Sequence, residues 1–236
     1  MSKNNCFELR DTRRIFFIGI GGISMSGLAE ILAKQSYEIS GSDLKESAIT
    51  KKLNSMGIKV FYGHNEENVL NSELVVYTAA VKDDNPELKM ARKLGIPTVE
   101  RAVLLGEIMR MYSFPVTVSG THGKTTTTSL ISIIMMESGM DPTIHIGGEL
   151  SAIGGTTRIG NNRYFIAEAC EYHSSFLEFY PYLAVILNIE FDHADYFTDI
   201  EHVKKVFVEY AARVPGKGYL VACIDDKNVR YVLESV

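Results

Sequence analysis

One segment constrains the fold more than any other. Ser119-Gly120-Thr121-His122-Gly123-Lys124-Thr125-Thr126 lies between a short apolar run, Val116 to Val118, and a helical stretch from about Lys124 to Glu137. A glycine loop that leaves a strand and opens a helix can wrap backbone amides around phosphates. The amides of Gly120, Thr121, His122 and Gly123, with Thr126 behind them, are the candidate cradle. Lys124 is placed to neutralise terminal phosphates, and Thr125 to hold Mg²⁺ through its hydroxyl. The longer form of this loop needs glycine at 118, where the chain has Val118, so the match is to the shorter GxxGKT pattern.

A second strand–glycine loop–helix opening stands upstream. Gly19-Ile20-Gly21-Gly22-Ile23-Ser24 follows the apolar run Ile15 to Ile20 and precedes Met25, Leu28, Ala29, Ile31 and Leu32 at helical spacing. Ser24 occupies the third glycine position of a dinucleotide fingerprint, so that pattern is broken. Asp43 closes the next strand, where an acid commonly meets a ribose hydroxyl. Gly19, Gly21, Gly22, Ser24 and Asp43 are therefore candidates for a nucleotide-type ligand.

Around these loops short strands alternate with helices. The pattern implies an α/β chain with parallel sheets, and the strand expected at Val116 begins a second series. We place the boundary near Tyr112 to Pro115, giving a Rossmann-like domain over 1–112 and a phosphate-loop domain over 113–236. Ile131 to Met136, the densest apolar stretch, reads as a buried helix segment and is too short to cross a membrane.

Acids and histidines follow the second loop. Glu168 comes directly after the run Tyr164 to Ala167, at the strand edge that lines the ligand crevice in α/β sheets. A carboxylate there suits Mg²⁺, with Glu171 as a substitute. Asn188-Ile189-Glu190-Phe191-Asp192-His193 follows the next strand and should reach the same edge. His193 is a candidate metal ligand, although imidazole is an unusual donor for Mg²⁺. Cys170 reads as a packing residue, since no base is spaced to activate it.

Composition narrows the classes. The 236 residues carry 24 Lys and Arg against 29 Asp and Glu, a net charge of −5, which argues against a general nucleic-acid binder. The 46% hydrophobic content supports a substantial core. Cys6, Cys170 and Cys223 are widely spaced and form no CxxC pair. A reducing cytosol is the expected setting, with no membrane partner. Met1 to Asp11 is polar and shows no secretory signal.

The chain resembles the Mur ligases, ATP-dependent amino-acid ligases of peptidoglycan precursor synthesis. The resemblance rests on Phe17-Ile18-Gly19-Ile20-Gly21-Gly22-Ile23-Ser24-Met25-Ser26-Gly27, on Ser40-Gly41-Ser42-Asp43, on Asn85-Pro86-Glu87, on Ser119 to Thr128, on Ala167-Glu168-Ala169-Cys170-Glu171-Tyr172 and on Asn188 to His193. It implies ATP and Mg²⁺ as cofactors, with UDP-N-acetylmuramate and L-alanine as substrates. It implies that ATP phosphorylates the substrate carboxylate and that an amine then attacks the acyl phosphate. Lys124 and His193 would be catalytic. Thr125, Glu168 and His193 would hold metal. Gly19, Gly21, Gly22 and Ser24 would contact the UDP pyrophosphate, with Asp43 and His64 near the uridine.

Ser24, Cys170, Tyr172 and His173 depart from the family pattern. The resemblance also implies a C-terminal Rossmann-like domain that does not precede Val236. The expectation is a fragment that binds ligands without catalysing ligation alone, and a C-terminal half on another chain is an expected partner. Other readings are a non-catalytic nucleotide-binding module, a nicotinamide-dependent oxidoreductase, and a related muropeptide or folylpolyglutamate ligase.

Overall fold

The computed structural model describes residues 9–236; Cys6 and most of the polar N-terminal stretch lie outside the described residues. The chain divides into two compact units, one reaching Leu104 and the other running from Leu105 to Val236.

The first unit is built on β1 (Arg14–Ile18), α1 (Ile23–Lys34), β2 (Glu38–Asp43), α2 (Ala48–Ser55), β3 (Lys59–Tyr62), β4 (Leu74–Tyr77), α3 (Pro86–Lys93) and β5 (Thr98–Glu100). Its sheet has the order β3-β2-β1-β4-β5, and every pairing is parallel. The chain steps outward from β1 to β3, then returns to the other side of β1. That reversal opens a crevice at the carboxyl ends of the strands. The first glycine loop, Asp43 and Gly63-His64 all follow strand carboxyl ends there.

The unit is held by apolar burial. Phe16, Ile18, Val69, Val75, Leu88 and Ala91 form one fully buried cluster. Burying a side chain of phenylalanine or leucine size stabilises by about 1.5–3 kcal/mol. Helix α1 follows its sequence pattern, with Met25, Leu28, Ala29, Ile31 and Leu32 all buried. Helix α2 begins with a reciprocal capping box between Ser47 and Thr50.

After α4 (Arg101–Met109) come β6 (Phe114–Ser119), α5 (Lys124–Glu137), β7 (Thr143–Leu150), β8 (Gly155–Arg158), β9 (Tyr164–Ala169), β10 (Leu183–Ile186), α6 (Ile200–Ala211), β11 (Tyr219–Ala222) and α7 (Lys227–Glu234). The compact-unit division cuts α4; the sequence-based boundary lies after it. The second sheet has the order β11-β10-β6-β9-β7-β8 and is parallel except for the β7–β8 pair.

Most expected elements form within a residue or two of their predicted ends. Elements absent from the sequence reading include β8, α7 and a 3-10 stretch near the second loop. Strand β8 is a short, half-buried antiparallel edge without alternating hydrophobicity. Helix α7 has only Val229 and Val232 as buried anchors. A 3-10 stretch over Tyr172–Glu178 contains two residues in the left-handed region.

Ile131 to Met136 also departs from expectation. Only Ser132 is fully buried there, and Ile134 is 63% exposed. Apolar residues surround the helix in this run, and one face of a 3.6-residue period cannot bury them all. Ile131, Met135 and Met136 pack partly buried against Val116, Ile144, Ile146 and Ile166.

Candidate functional site

Helix N-termini carry the first clue. Helices α2, α3, α6 and α7 are capped by the side chains of Ser47, Asn85, Asp199 and Asp226. Helices α1 and α5 start instead on Gly22 and Gly123, with no side-chain cap. A helix start without a cap leaves its first amides and its positive dipole end open to an anion. These two helices follow the two glycine loops.

The second loop is shaped by conformation and by close packing. Gly120 has φ +135° and Gly123 φ +84°, both in the region that side chains resist. A Cβ on Gly120 would lie 3.0 Å from Leu187 Cβ and 3.1 Å from the backbone of Asn188. The strand below is anchored by buried hydroxyls. Ser119 Oγ donates to Val185 O at 2.8 Å, and Thr117 Oγ1 pairs with the Tyr210 hydroxyl at 2.5 Å. Burial pushes the Tyr210 phenol well above the ordinary tyrosine range.

Asn188 ties the loop to the end of β10. Its carbonyl accepts the Thr121 amide at 3.1 Å, and its Oδ1 accepts the His122 amide at 2.8 Å. Thr121 Oγ1 accepts the Glu190 amide at 2.8 Å. The His122 ring lies 3.7 Å from the Glu190 carboxylate, and Thr126 is exposed.

Lys124 turns back over its own loop. Its ammonium donates to Gly120 O at 2.5 Å and Thr121 O at 3.2 Å. It also meets the buried Glu171 carboxylate at 3.2 Å. His193 Nε2 lies 3.9 Å from Glu171 Oε1. Thr125 Oγ1 donates to Glu168 Oε2 at 3.1 Å, while Glu168 Oε1 accepts the Gly147 amide at 2.9 Å. The structure thus gathers two sets, Thr125 with Glu168, and Lys124 with Glu171 and His193. Among the described residues, no three His, Cys, Asp or Glu side chains form a metal-binding group. The Thr125–Glu168 pair fits Mg²⁺ by its chemistry, because both donors are hard oxygens and the ion keeps room for water and phosphate.

Backbone strain concentrates beside this set. His173, Ser174 and His193 have φ of 52°, 55° and 54°. The Tyr172 ring lies 4.5 Å from that of His193, and its hydroxyl donates to Asp195 at 2.5 Å. That bond holds the Asp195 carboxyl below its usual value and raises the Tyr172 phenol.

The first loop is arranged differently. Ser42 O accepts the amides of Gly19 and Ile20 at 2.8 and 2.9 Å. Asp43 uses both oxygens on backbone, accepting from Gly21 and Leu44 at 2.8 Å each. Ser24 Oγ accepts from the Arg101 guanidinium at 3.1 Å. Arg101 is a cation beside an open helix start and was missed in the sequence reading. Its position directly after β5, at a strand's carboxyl end, is the signal that identifies it. His64 Nδ1 lies 2.7 Å from Glu87 Oε2 and 3.1 Å from Ser42 Oγ. Glu87 and Ser42, both fully buried, were likewise not among the predicted site residues.

With the geometry in place, the chain can be compared with known proteins. Residues 14–113 match the Mur ligase family, catalytic domain, and residues 118–236 match the Mur ligase middle domain. The UDP-N-acetylmuramate–L-alanine ligase of Acetivibrio thermocellus is 65% identical over 224 residues, covering 95% of this chain and 48% of that protein. The enzyme of the same name from Alkaliphilus metalliredigens is 56% identical, covering 93% of this chain and 48% of that protein. The chain spans about half the length of the curated relatives it matches. Among solved structures, the UDP-N-acetylmuramate-alanine ligase of Thermotoga maritima superposes with a TM-score of 0.82 at 29% identity, over 93% of this chain and 51% of that one. The UDP-N-acetylmuramate:L-alanyl-gamma-D-glutamyl-meso-diaminopimelate ligase of Neisseria meningitides gives 0.86 at 28% identity, over 95% and 75%. Two family domains match in order across nearly the whole chain, and this protein belongs to the Mur ligase family.

Proposed function

We propose that this chain supplies the UDP-substrate site and the phosphate loop of a ligase that joins L-alanine to UDP-N-acetylmuramate at the expense of ATP. The observation that carries the reading is the pair of uncapped helix starts behind glycine loops, each at the carboxyl edge of its own parallel sheet. The identity with UDP-N-acetylmuramate–L-alanine ligases supports the choice of substrates.

In the second unit the Gly123 amide and those of the first turn of α5 would receive the phosphates of ATP, with the Thr121 and His122 amides held by Asn188 to shape the loop. Lys124 would leave its carbonyl partners for the β- and γ-phosphate oxygens. Thr125 and Glu168 would hold Mg²⁺, which when bound neutralises charge on the phosphates. We assign His193 to a second ion, with Glu171 as the neighbouring oxygen donor. In the first unit the open start of α1 and the Arg101 guanidinium would face the UDP pyrophosphate, with Asp43 shaping the loop through Gly21.

Calorimetry tests both halves. UDP-N-acetylmuramate should bind and NADH should not; the reverse result discards the assignment of the first loop. Lys124→Ala should weaken ATP-Mg²⁺ about tenfold or more, the value of a lost charge-assisted contact. Unchanged affinity in a folded variant would show that the loop does not hold phosphate in this way.

A further inference from the structure

Asn85-Pro86-Glu87 carries part of the family resemblance and lies outside both glycine loops. It opens α3. Asn85 Oδ1 accepts the amides of Glu87 and Leu88 at 2.9 and 3.1 Å, and Pro86 needs no partner at the first turn. The cap leaves the Glu87 side chain fully buried at the helix's positive end.

A buried carboxylate needs donors. Ser42 Oγ donates to Glu87 Oε2 at 2.6 Å, and Asn68 Nδ2 donates to Oε1 at 2.7 Å. His64 Nδ1 stands 2.7 Å from Oε2. The donor inventory then decides the imidazole. Ser42 gives its one hydroxyl proton to Glu87, so its oxygen can only accept from His64, at 3.1 Å. Both neighbours of Nδ1 are acceptors, which puts the hydrogen on Nδ1. Nε2 has no protein partner among the described residues, and the ring is 22% exposed. His64 follows β3 at the sheet edge that also carries Asp43 and the first glycine loop.

We propose that Glu87 is a positioning residue that locks His64 in the Nδ1–H form and so presents Nε2 as a hydrogen-bond acceptor to a uridine nucleotide. The donor it would meet is the uracil imide N–H or a ribose hydroxyl. The proposal rests on the assignment of a uridine nucleotide to the first unit. Its physical basis is that the partner of one ring nitrogen sets which form the other presents. A buried carboxylate with three donors is a stiffer partner than water. A glutamine at 87 would bring amide hydrogens to the same spot and remove the preference for Nδ1–H.

The test separates the tautomer from the ligand. Two-bond ¹H–¹⁵N spectra of the labelled chain, in mildly alkaline buffer without ligand, should show His64 protonated at Nδ1 and bare at Nε2. Glu87→Gln should shift it toward the Nε2–H form. Glu87→Gln and His64→Ala should each weaken UDP about tenfold, and the double variant should lose no more than His64→Ala alone. Against CDP, whose base lacks the imide N–H, loss of discrimination in His64→Ala identifies the base as the donor. Loss of discrimination against 2′-deoxy-UDP identifies the sugar.

An Nε2–H ring or an imidazolium in the unmodified chain overturns the proposal. So does a Glu87→Gln effect of equal size with and without His64. The unmodified spectrum and His64→Ala leave the buried acid untouched, and they judge the proposal even where Glu87→Gln unfolds. Failure of the folded, unmodified chain to bind UDP overturns the uridine assignment and the ligand half of the proposal. The tautomer result stands or falls separately.

Discussion

The two glycine loops share an opening but manage charge in opposite ways. In the first, an acid holds an amide: Asp43 accepts from Gly21, and the nearby cation, Arg101, arrives from the start of α4. In the second, acceptors hold a cation: Lys124 belongs to the loop itself and is fastened to two loop carbonyls and to Glu171. The foundations differ as well. β1 supports its loop with the apolar Phe16, Phe17 and Ile18, whereas β6 places Thr117 and Ser119 in hydrogen bonds to Tyr210 and Val185. The first loop reads as a seat whose charge comes from elsewhere in the fold. The second is a self-contained cradle, braced against the next strand by Asn188.

The sharpest way to break this comparison is backbone geometry. Gly120→Val forces a branched side chain into φ +135° against Leu187 and Asn188. Strain and overpacking together should cost about 2–5 kcal/mol, read as a lower denaturation midpoint and lost ATP binding. Gly22→Ala has φ −65° and its nearest neighbour 3.4 Å away, so it should change stability by less than about 1 kcal/mol. Equal effects would mean that the Gly120 position is no more constrained than that of Gly22.

Charge gives the next contrast. Lys124→Met leaves Glu171, 2% exposed, without its ammonium partner, and should destabilise by about 1–3 kcal/mol. Adding Glu171→Gln should recover most of that loss in chemical denaturation. Asp43→Asn, at a half-exposed position whose oxygens meet amides alone, should cost less than Lys124→Met. A larger cost for Asp43→Asn would reverse the assignment of which loop depends on its internal charge.

The smallest effect concerns the hydroxyl footing under β6. Tyr210→Phe removes the bond to Thr117 and should cost about 1 kcal/mol at neutral pH. Its pH dependence carries a definite sign. The folded phenol is raised above the ordinary value of 10.0, so this contribution is present below that pH. It is lost as pH rises and the unfolded chain ionises first. The stability gap between the unmodified chain and Tyr210→Phe should therefore shrink in alkaline buffer; a widening gap would contradict the burial of that hydroxyl.

Both loops, the alternation of strands and helices, and the place of Glu168 at a strand's carboxyl end follow from local patterns. Glycine position, a strand before and a helix after, and an acid at the end of a neighbouring strand are all short-range signals. Glu87 and Arg101 stand in legible local places, the first turn of α3 and the residue after β5, but what they meet was not legible, because their partners lie far along the chain. Ser42 meets Glu87 across 45 residues and Ser24 meets Arg101 across 77.

By itself, then, the sequence determined that two glycine loops open two helices in an α/β chain of mostly parallel strands, because periodicity, glycine and proline act within a few residues. Only the tertiary structure decided which charged groups face each other. It placed Asp43 on the Gly21 amide, paired Glu171 with Lys124, and enclosed Glu87 with His64, Ser42 and Asn68. It also left Ile134 exposed on a helix read as buried. The physical reason is common to all of these. Burial and partner choice depend on sheet order and on which face of a helix meets the sheet, and both are fixed by contacts between segments far apart in the chain.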